Sequence, residues 1–132
     1  MAVERALASE GRVLILDCHS FSPTPLAYEP DQDPNRPDIC IGTDPFHSPE
    51  AVVQACVAFF KRRGYSVKVN SPYGGTIVPI RFLGRDDRVM SIMVEVNRGL
   101  YLRPGTNERN GFFYVLKRQL REFEGLVMKM CL

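Results

Sequence analysis

A continuous apolar run, residues 13–16, lies near the start of the chain and is followed by Asp17, Cys18, His19 and Ser20. Such a run predicts a strand over residues 13–18 that is buried on both faces. Polar residues beyond the carboxyl end of a strand in an α/β sheet are well placed for chemistry, so this strand end is a candidate site. The alternative is a hydrogen-bonded histidine beside an ordinary strand-end acid, and both interpretations stay open at this point.

The periodicity of the remaining chain predicts alternating helices and strands, which is an α/β layout. A helix is expected at residues 3–9, ending at Gly11, and a second begins with Ser48 as N-cap and Pro49 at its first position, ending at Gly64. An amphipathic helix is expected at residues 112–130. Strands are expected at residues 38–42, 65–69 and 89–96, with a further short strand at residues 77–82.

Two polar loops follow predicted strands. Residues 22–37 hold five of the ten prolines, a density that excludes helix and central strand. A loop of this length is typical of a rim or lid beside a site. The second loop, residues 70–76, contains Gly74 and Gly75, which let a backbone approach a ligand closely.

One carboxylate lies inside an apolar strand. Glu95 stands between Val94 and Val96, where a charge is costly unless it is paired or bound. It is therefore expected to have a partner or a bound group, and the alternative is a salt bridge to Arg98 or an exposed position on an edge strand. For His47, a solvated loop position is expected rather than a metal ligand.

Composition narrows the class of protein. The 132 residues carry a net charge of +2 and are 45% hydrophobic, which fits a single globular α/β domain over residues 1–132. Nucleic-acid binding is not supported, because no concentrated basic face is evident. No window is apolar enough to cross a membrane. The four cysteines show no C-x-x-C pair, which favours reduced thiols in a cytoplasmic protein and argues against a structural zinc knot.

Four motifs occur in a distinctive order: residues 17–21, 38–43, 70–75 and 95–101. Together they resemble the N-formylglutamate amidohydrolase family over nearly the whole chain. The resemblance implies a mixed, mostly parallel sheet flanked by helices, related in fold to the zinc carboxypeptidases (phosphorylase/hydrolase-like). It also implies a metal-dependent amide hydrolase of histidine degradation, which converts N-formyl-L-glutamate and water into formate and L-glutamate.

The resemblance assigns roles to individual residues. His19, within the Asp-x-His-Ser pattern, is implied to be a ligand of one zinc ion, and Glu95 the catalytic carboxylate. Asp17 would orient a site side chain, and Arg98 would bind a substrate carboxylate. The other implied substrate-binding residues are Asn97, Ser20, Tyr73, Gly74 and Gly75.

The family's other two zinc ligands lie upstream of the Asp-x-His-Ser strand, and this chain begins one helix before it. The fold is therefore expected to be incomplete, with the remaining ligands upstream and possible self-association through the surface left by an absent N-terminal half. The expected partner is a small N-acyl amino acid. The alternatives are a metal amidase for another N-acyl amino acid or peptide, and a catalytically incomplete remnant that acts as a binding module. A cysteine hydrolase built on Cys18 and His19 is disfavoured, because adjacent strand residues point to opposite faces.

Overall fold

The computed structural model describes residues 2–130, and its centre is a four-stranded sheet. The elements run in the order α1 (Ala2–Glu10), β1 (Val13–Phe21), β2 (Ile39–Gly42), α2 (Glu50–Lys61), β3 (Val67–Val69), β4 (Val89–Asn97) and α3 (Phe113–Met130), with a 3-10 turn (Arg98–Leu100) after β4. The strand order is β1-β4-β2-β3. β1 pairs with β4 and β2 with β3 in parallel, whereas β2 and β4 are antiparallel. The predicted mixed, mostly parallel sheet flanked by helices is confirmed.

One face of the sheet packs against α2 and α3. Because side chains alternate along a strand, Ile92, Val94 and Val96 of β4 share this face. They join Phe60 of α2 and Phe123 of α3, whose ring centroids lie 4.7 Å apart, in one buried cluster. The apolar core therefore lies on the helix side, and the opposite face is left for the two polar loops and the candidate site.

The prediction that β1 is buried on both faces is wrong. β1 is an edge strand of the sheet formed by the described residues, and its side chains are half-buried up to Asp17 and exposed from Cys18 to Ser20. The strand also continues to Phe21, so the candidate polar residues lie within it rather than beyond its end. The covered strands are β2 and β4, because each of them pairs on both sides.

Three local predictions also need correction. Ser48 does not cap α2: its hydroxyl accepts a hydrogen bond from the Asp44 amide and donates to the Ser91 carbonyl, and the helix begins at Glu50. Residues 77–82 form no strand and end in a turn. His47 is not solvated but fully buried, with one ring nitrogen 2.6 Å from the Val89 carbonyl oxygen.

Gly42, at the end of β2, allows the second polar loop to cross the sheet. A Cβ at this position would overlap the Gly75 carbonyl oxygen and the Met93 side chain. The loop that follows β3 can therefore lie directly against β2, on the face opposite the helices. No helix within residues 2–130 has the length and apolarity needed to cross a membrane.

Candidate active site

His19 and Glu95 are direct neighbours on adjacent strands. In the parallel pairing of β1 with β4, the Cα of His19 is the partner of that of Glu95. Residues in register on neighbouring strands project their side chains to the same face of a sheet. The imidazole and the carboxylate, separated by 75 residues in the chain, therefore share the face opposite the helices.

Asp17 lies two residues before His19 on that face and bonds to it. One carboxylate oxygen of Asp17 is 2.8 Å from His19 Nε2, and the other accepts a hydrogen bond from the Ile77 amide at 3.2 Å. The His19 side chain is 51% exposed, whereas that of Asp17 is 17% exposed. The ring is thus held through one nitrogen by an anchored carboxylate, and its Nδ1 makes no hydrogen bond to the described residues.

Glu95 is buried at the centre of the sheet. Removal from water is the largest influence on its carboxyl group and raises its pKa above the ordinary value. Asp17 and Glu29 act in the same direction, while His19 and Arg98 oppose it. Within residues 2–130 the carboxylate has no hydrogen-bond or ion-pair partner, so the alternative of a salt bridge to Arg98 does not occur. Its position on a central strand excludes the other alternative, an edge-strand acid facing solvent.

A cavity of about 420 Å³ opens beside Glu95. Arg98, Ser20 and Tyr73 line it with Glu95, so four of the predicted site residues meet at one space. Arg98 is half-buried and its guanidinium forms no ion pair with the described residues, which leaves an unpaired cation at the cavity. The remaining wall comes from the proline-rich loop, with Leu26, Tyr28, Glu29 and Pro30.

The other predicted substrate-binding residues lie outside this cavity. Asn97 is buried, and its side chain donates to the Pro37 carbonyl and accepts from the Gly99 amide. Both ends of the amide are therefore engaged in holding the chain on either side of β4. Gly74 and Gly75 do not line the cavity, and their role in substrate binding stays a prediction.

Comparison with known proteins assigns the chain to a family. The family model for N-formylglutamate amidohydrolase matches residues 1–102. The chain belongs to the N-formylglutamate amidohydrolase family.

A solved structure of the same family supports this membership. The crystal structure of N-formylglutamate amidohydrolase from Ralstonia eutropha JMP134, at 2.00 Å resolution, is 31% identical in sequence, with a TM-score of 0.74. The match covers 90% of this chain and 44% of that one, so this chain spans less than half the length of the Ralstonia protein. No curated protein matches the chain significantly.

The amidohydrolase motif residues do not by themselves form a metal site. Within residues 2–130, no group of three His, Cys, Asp or Glu side chains is arranged to hold a metal ion. A catalytic zinc ion requires three protein ligands and an open position. His19 suits one of these, because an imidazole held by a carboxylate through one nitrogen is the usual arrangement of a zinc-binding histidine. The described residues therefore fit one position of a zinc site and not the whole of it.

The larger cavity of this amidohydrolase-family chain lies elsewhere. An open cavity of about 630 Å³ lies between β1, β4 and α3, and it is lined mainly by apolar residues such as Leu16 and Val96. His19 and Ser20 also line this cavity. Cys18 borders this space, and its thiol donates to the Leu16 carbonyl. Because the His19 ring bonds to Asp17 on the opposite face, a Cys18–His19 dyad does not form.

Three site residues were not identified from the sequence. Cys40 of β2 is in register with Glu95 of the neighbouring strand β4. Its thiol donates to the Tyr73 carbonyl at 3.1 Å and so holds the loop at residues 70–76 beside the cavity. Glu29 and Arg36, in the proline-rich loop, form a buried ion pair at the same place. The sequence predicts that Cys40 lies in a strand, but its register with Glu95 depends on the antiparallel pairing of β2 with β4, which no local sequence pattern predicts.

Proposed function

We propose that this chain supplies the catalytic carboxylate and one metal ligand of an amidohydrolase acting on N-formyl-L-glutamate. The observation that carries the proposal is the register of His19 with Glu95, which itself lines a cavity that also contains the unpaired Arg98. Family membership supports the reaction class. The Ralstonia relative is more than twice as long as the matched part, so the activity of the whole amidohydrolase is carried over to this chain only as a proposal.

Each residue has a defined task in this proposal. His19 would hold a zinc ion, with the remaining ligands outside the described residues and Asp17 fixing the orientation of the ring. When bound, the zinc ion would lower the pKa of a water molecule and polarise the formyl carbonyl. Glu95 would accept the proton of that water and return it to the departing amino nitrogen, as a buried carboxylate with a raised pKa can do near neutral pH.

Arg98 would select the substrate. A guanidinium binds a carboxylate through two parallel hydrogen bonds, and this one has no partner among the described residues to displace. We therefore expect substrates that carry a side-chain or α-carboxylate, delivered to the cavity beside Glu95. Tyr73 would complete the contact surface, whereas the side chain of Ser20, in register with Val96, shares the helix face of the sheet.

The test is formate release from N-formyl-L-glutamate with zinc present, in a fusion of this chain to the part of the Ralstonia amidohydrolase outside the matched region. Glu95→Gln should reduce turnover at least about a hundredfold while zinc stays bound, because the proton acceptor is lost. Glu50→Gln, on the exposed start of α2, is the matched control and should retain activity. Undiminished turnover in Glu95→Gln would remove this residue from the mechanism.

Substrate selection is tested with a neutral analogue. Arg98→Ala should raise KM for N-formyl-L-glutamate much more than it changes KM for N-formyl-L-glutamine amide. Arg88→Ala, which removes an exposed arginine paired with Asp86, should affect neither. Equal effects of Arg98→Ala on both substrates would mean that this arginine does not recognise a carboxylate.

A second candidate is favoured by the absence of a three-ligand group within residues 2–130. In this case the chain is a remnant that keeps the scaffold and binds a ligand or partner without catalysis. The unpaired outer edge of β1 then provides a surface for pairing with another chain, including a second copy. A fusion that binds zinc through the supplied ligands but releases no formate would favour this candidate.

Location in the cytoplasm is part of the same proposal. Cys18, Cys40 and Cys56 are free thiols, as a reducing compartment requires, while Cys131 lies outside the described residues. A role in histidine degradation would follow from the substrate.

A further inference from the structure

A buried arginine holds the proline-rich loop onto the sheet. The side chain of Arg36 is only 2% exposed, and its Nη2 atom pairs with the carboxylate of Glu29, which is 9% exposed. Its Nη1 atom donates to the Ser22 carbonyl at 3.2 Å and to the Tyr73 hydroxyl at 3.3 Å. Nη2 also donates to the Asp31 carbonyl at 3.2 Å. One guanidinium thus connects both ends of the loop to the segment that follows β3.

Tyr73 closes this arrangement into a ring of three groups. Its hydroxyl donates to Glu29 at 2.7 Å, on the carboxylate oxygen that Arg36 does not occupy. The tyrosine ring packs edge-on against Phe21 at the end of β1, with the centroids 5.8 Å apart. The Arg36 guanidinium lies 5.9 Å from the Phe21 ring centroid and 5.7 Å from that of Tyr73. The three-residue clamp, Glu29–Arg36–Tyr73, is therefore seated on the sheet through Phe21.

The clamp adjoins the cavity that contains Glu95. Glu29 and Tyr73 both line it, together with Leu26, Tyr28 and Pro30 of the same loop. The Leu26 amide donates to Glu29, so the carboxylate also fixes the loop segment on the cavity side. Displacing the loop would remove one complete wall of the cavity.

We propose that Arg36 is a positioning residue that keeps residues 22–37 closed as a permanent wall of the Glu95 cavity. The loop does not act as a lid that opens and closes. The inference rests on the proposed function only for the identity of the ligand, because the wall is defined by the contacts of this chain alone.

The physical reason is the cost of detaching a buried polar cluster from the sheet. Glu29 and Arg36 both belong to the loop, so opening it would break their hydrogen bonds with Tyr73. It would also withdraw the buried guanidinium of Arg36 from the Phe21 ring, and these losses of contact at buried polar groups are unfavourable. Local openings that expose few polar groups are frequent in proteins, whereas one that breaks several buried hydrogen bonds together is rare. Stability alone does not explain the clamp, since Arg36 Nε is buried without a hydrogen-bond partner among the described residues.

The clamp also sets the charge of the wall. Hydrogen bonds from Tyr73 and Arg36 hold the pKa of Glu29 below its ordinary value, so it is ionised. Without Arg36, this carboxylate would face the cavity uncompensated and compete with an anionic ligand for Arg98. Because Arg36 compensates the negative charge of Glu29, Arg98 remains the uncompensated cation at this cavity.

The experiment measures amide hydrogen exchange in residues 22–37 of the purified chain without substrate. In the wild type, the Glu29 amide, which bonds to the Leu26 carbonyl, should exchange far more slowly than in an unstructured peptide. Arg36→Lys keeps the charge but cannot reach all four partners, so it should accelerate exchange at least about tenfold, whereas amides of β4 stay protected. Arg88→Lys, at an exposed arginine–aspartate pair, is the matched control and should leave the loop unchanged.

A double variant separates positioning from general stability. Tyr73→Phe removes one hydroxyl, preserves the ring against Phe21, and should accelerate loop exchange by about threefold. If both residues act through one clamp, the double variant should exchange no faster than Arg36→Lys alone. If the effects multiply, Arg36 and Tyr73 contribute independently and the clamp is refuted. Wild-type loop amides that exchange as fast as a free peptide would also refute it, whatever the result for formate release.

Discussion

The two histidines of this chain occupy opposite environments. His47 is fully buried: one ring nitrogen is 2.6 Å from the Val89 carbonyl oxygen, and Nε2 accepts a hydrogen bond from the Gly84 amide at 2.8 Å. This pattern requires the neutral tautomer with the proton on Nδ1. His19 is exposed, and among residues 2–130 its ring bonds only to Asp17, through Nε2. One histidine therefore serves the fold, and the other is available for chemistry.

Alanine substitution should separate these two roles. His47→Ala should lower the free energy of unfolding by about 3 kcal/mol, because it leaves a cavity and removes the partner of the buried Val89 carbonyl and of the Gly84 amide. His19→Ala should change it by less than about 0.5 kcal/mol, as is usual for an exposed side chain. Urea unfolding followed by circular dichroism measures both. A His19→Ala variant as unstable as His47→Ala would mean that His19 is mainly structural.

The titration of Glu95 predicts a second, pH-dependent effect. Burial raises its pKa in the folded chain above the ordinary 4.5, so the folded state binds more protons than the unfolded state between these two values. Stability therefore falls as the pH rises from about 4.5 through the folded-state pKa, and the loss is complete above it. Glu95→Gln, measured without metal, should be more stable than the wild type at neutral pH and should lose this advantage near pH 4. An advantage of the same size at both pH values would show that the carboxyl group is not perturbed.

At this scale the sequence singled out His19 and Glu95 as candidate site residues but did not reveal the side chains that surround them. His19 and Glu95 stood out because polar groups interrupt apolar strands, and that signal is local. Arg36 and Glu29 looked like ordinary charges in a proline-rich loop, since their burial depends on how residues 22–37 fold back over Phe21. His47 was misjudged for the same reason: its partners, Gly84 and Val89, are about 40 residues away.

Among the elements, the close contact between β2 and the second polar loop depends on one missing side chain. Gly42→Ala should destabilise the chain by about 3 kcal/mol, because the new methyl group would overlap the Gly75 carbonyl, which is backbone and cannot rotate away. Gly125 in α3 is the matched control, with nothing near its potential Cβ. Gly125→Ala should stabilise the chain by about 0.5–1 kcal/mol through helix propensity. Thermal unfolding measures both variants, and a harmless Gly42→Ala would mean that the loop is not held against β2.

The elements predicted best were those with long periodic patterns. Both long helices and the strand at residues 89–96 were recognised within a few residues of their observed bounds. β1 was placed correctly but predicted to be buried on both faces, whereas residues 13–17 are only half-buried, including Leu14 and Leu16, which pack against the core. An apolar run does not tell whether the second face is covered by this chain or left partly open. The short strand expected at residues 77–82 failed, since Pro79 begins a turn there.

For the whole molecule, the decisive observation is how many side chains able to bind a metal ion lie together on one face of the sheet. The face opposite the helices offers His19, Asp17 and Glu95, yet no three of the described acidic, histidine or cysteine side chains form a metal-binding group. The Ralstonia amidohydrolase extends well beyond the matched region. The proposed site, shared between this chain and additional polypeptide, would account for both observations.

Because the proposal divides the zinc ligands between this chain and additional polypeptide, the zinc content of the purified chain tests how many of the ligands the chain itself carries. One imidazole with a supporting carboxylate lacks the three protein ligands of a catalytic zinc site, so after dialysis against a chelator we expect far less than one zinc per chain. Weak binding measured by titration should fall further in His19→Ala and stay unchanged in Arg88→Ala, which retains every candidate ligand. In the fusion to the Ralstonia portion, one zinc per chain should survive dialysis and be lost with His19→Ala. Full zinc retention by the isolated chain would show that three ligands lie within it, and the proposal of a shared site would then be wrong.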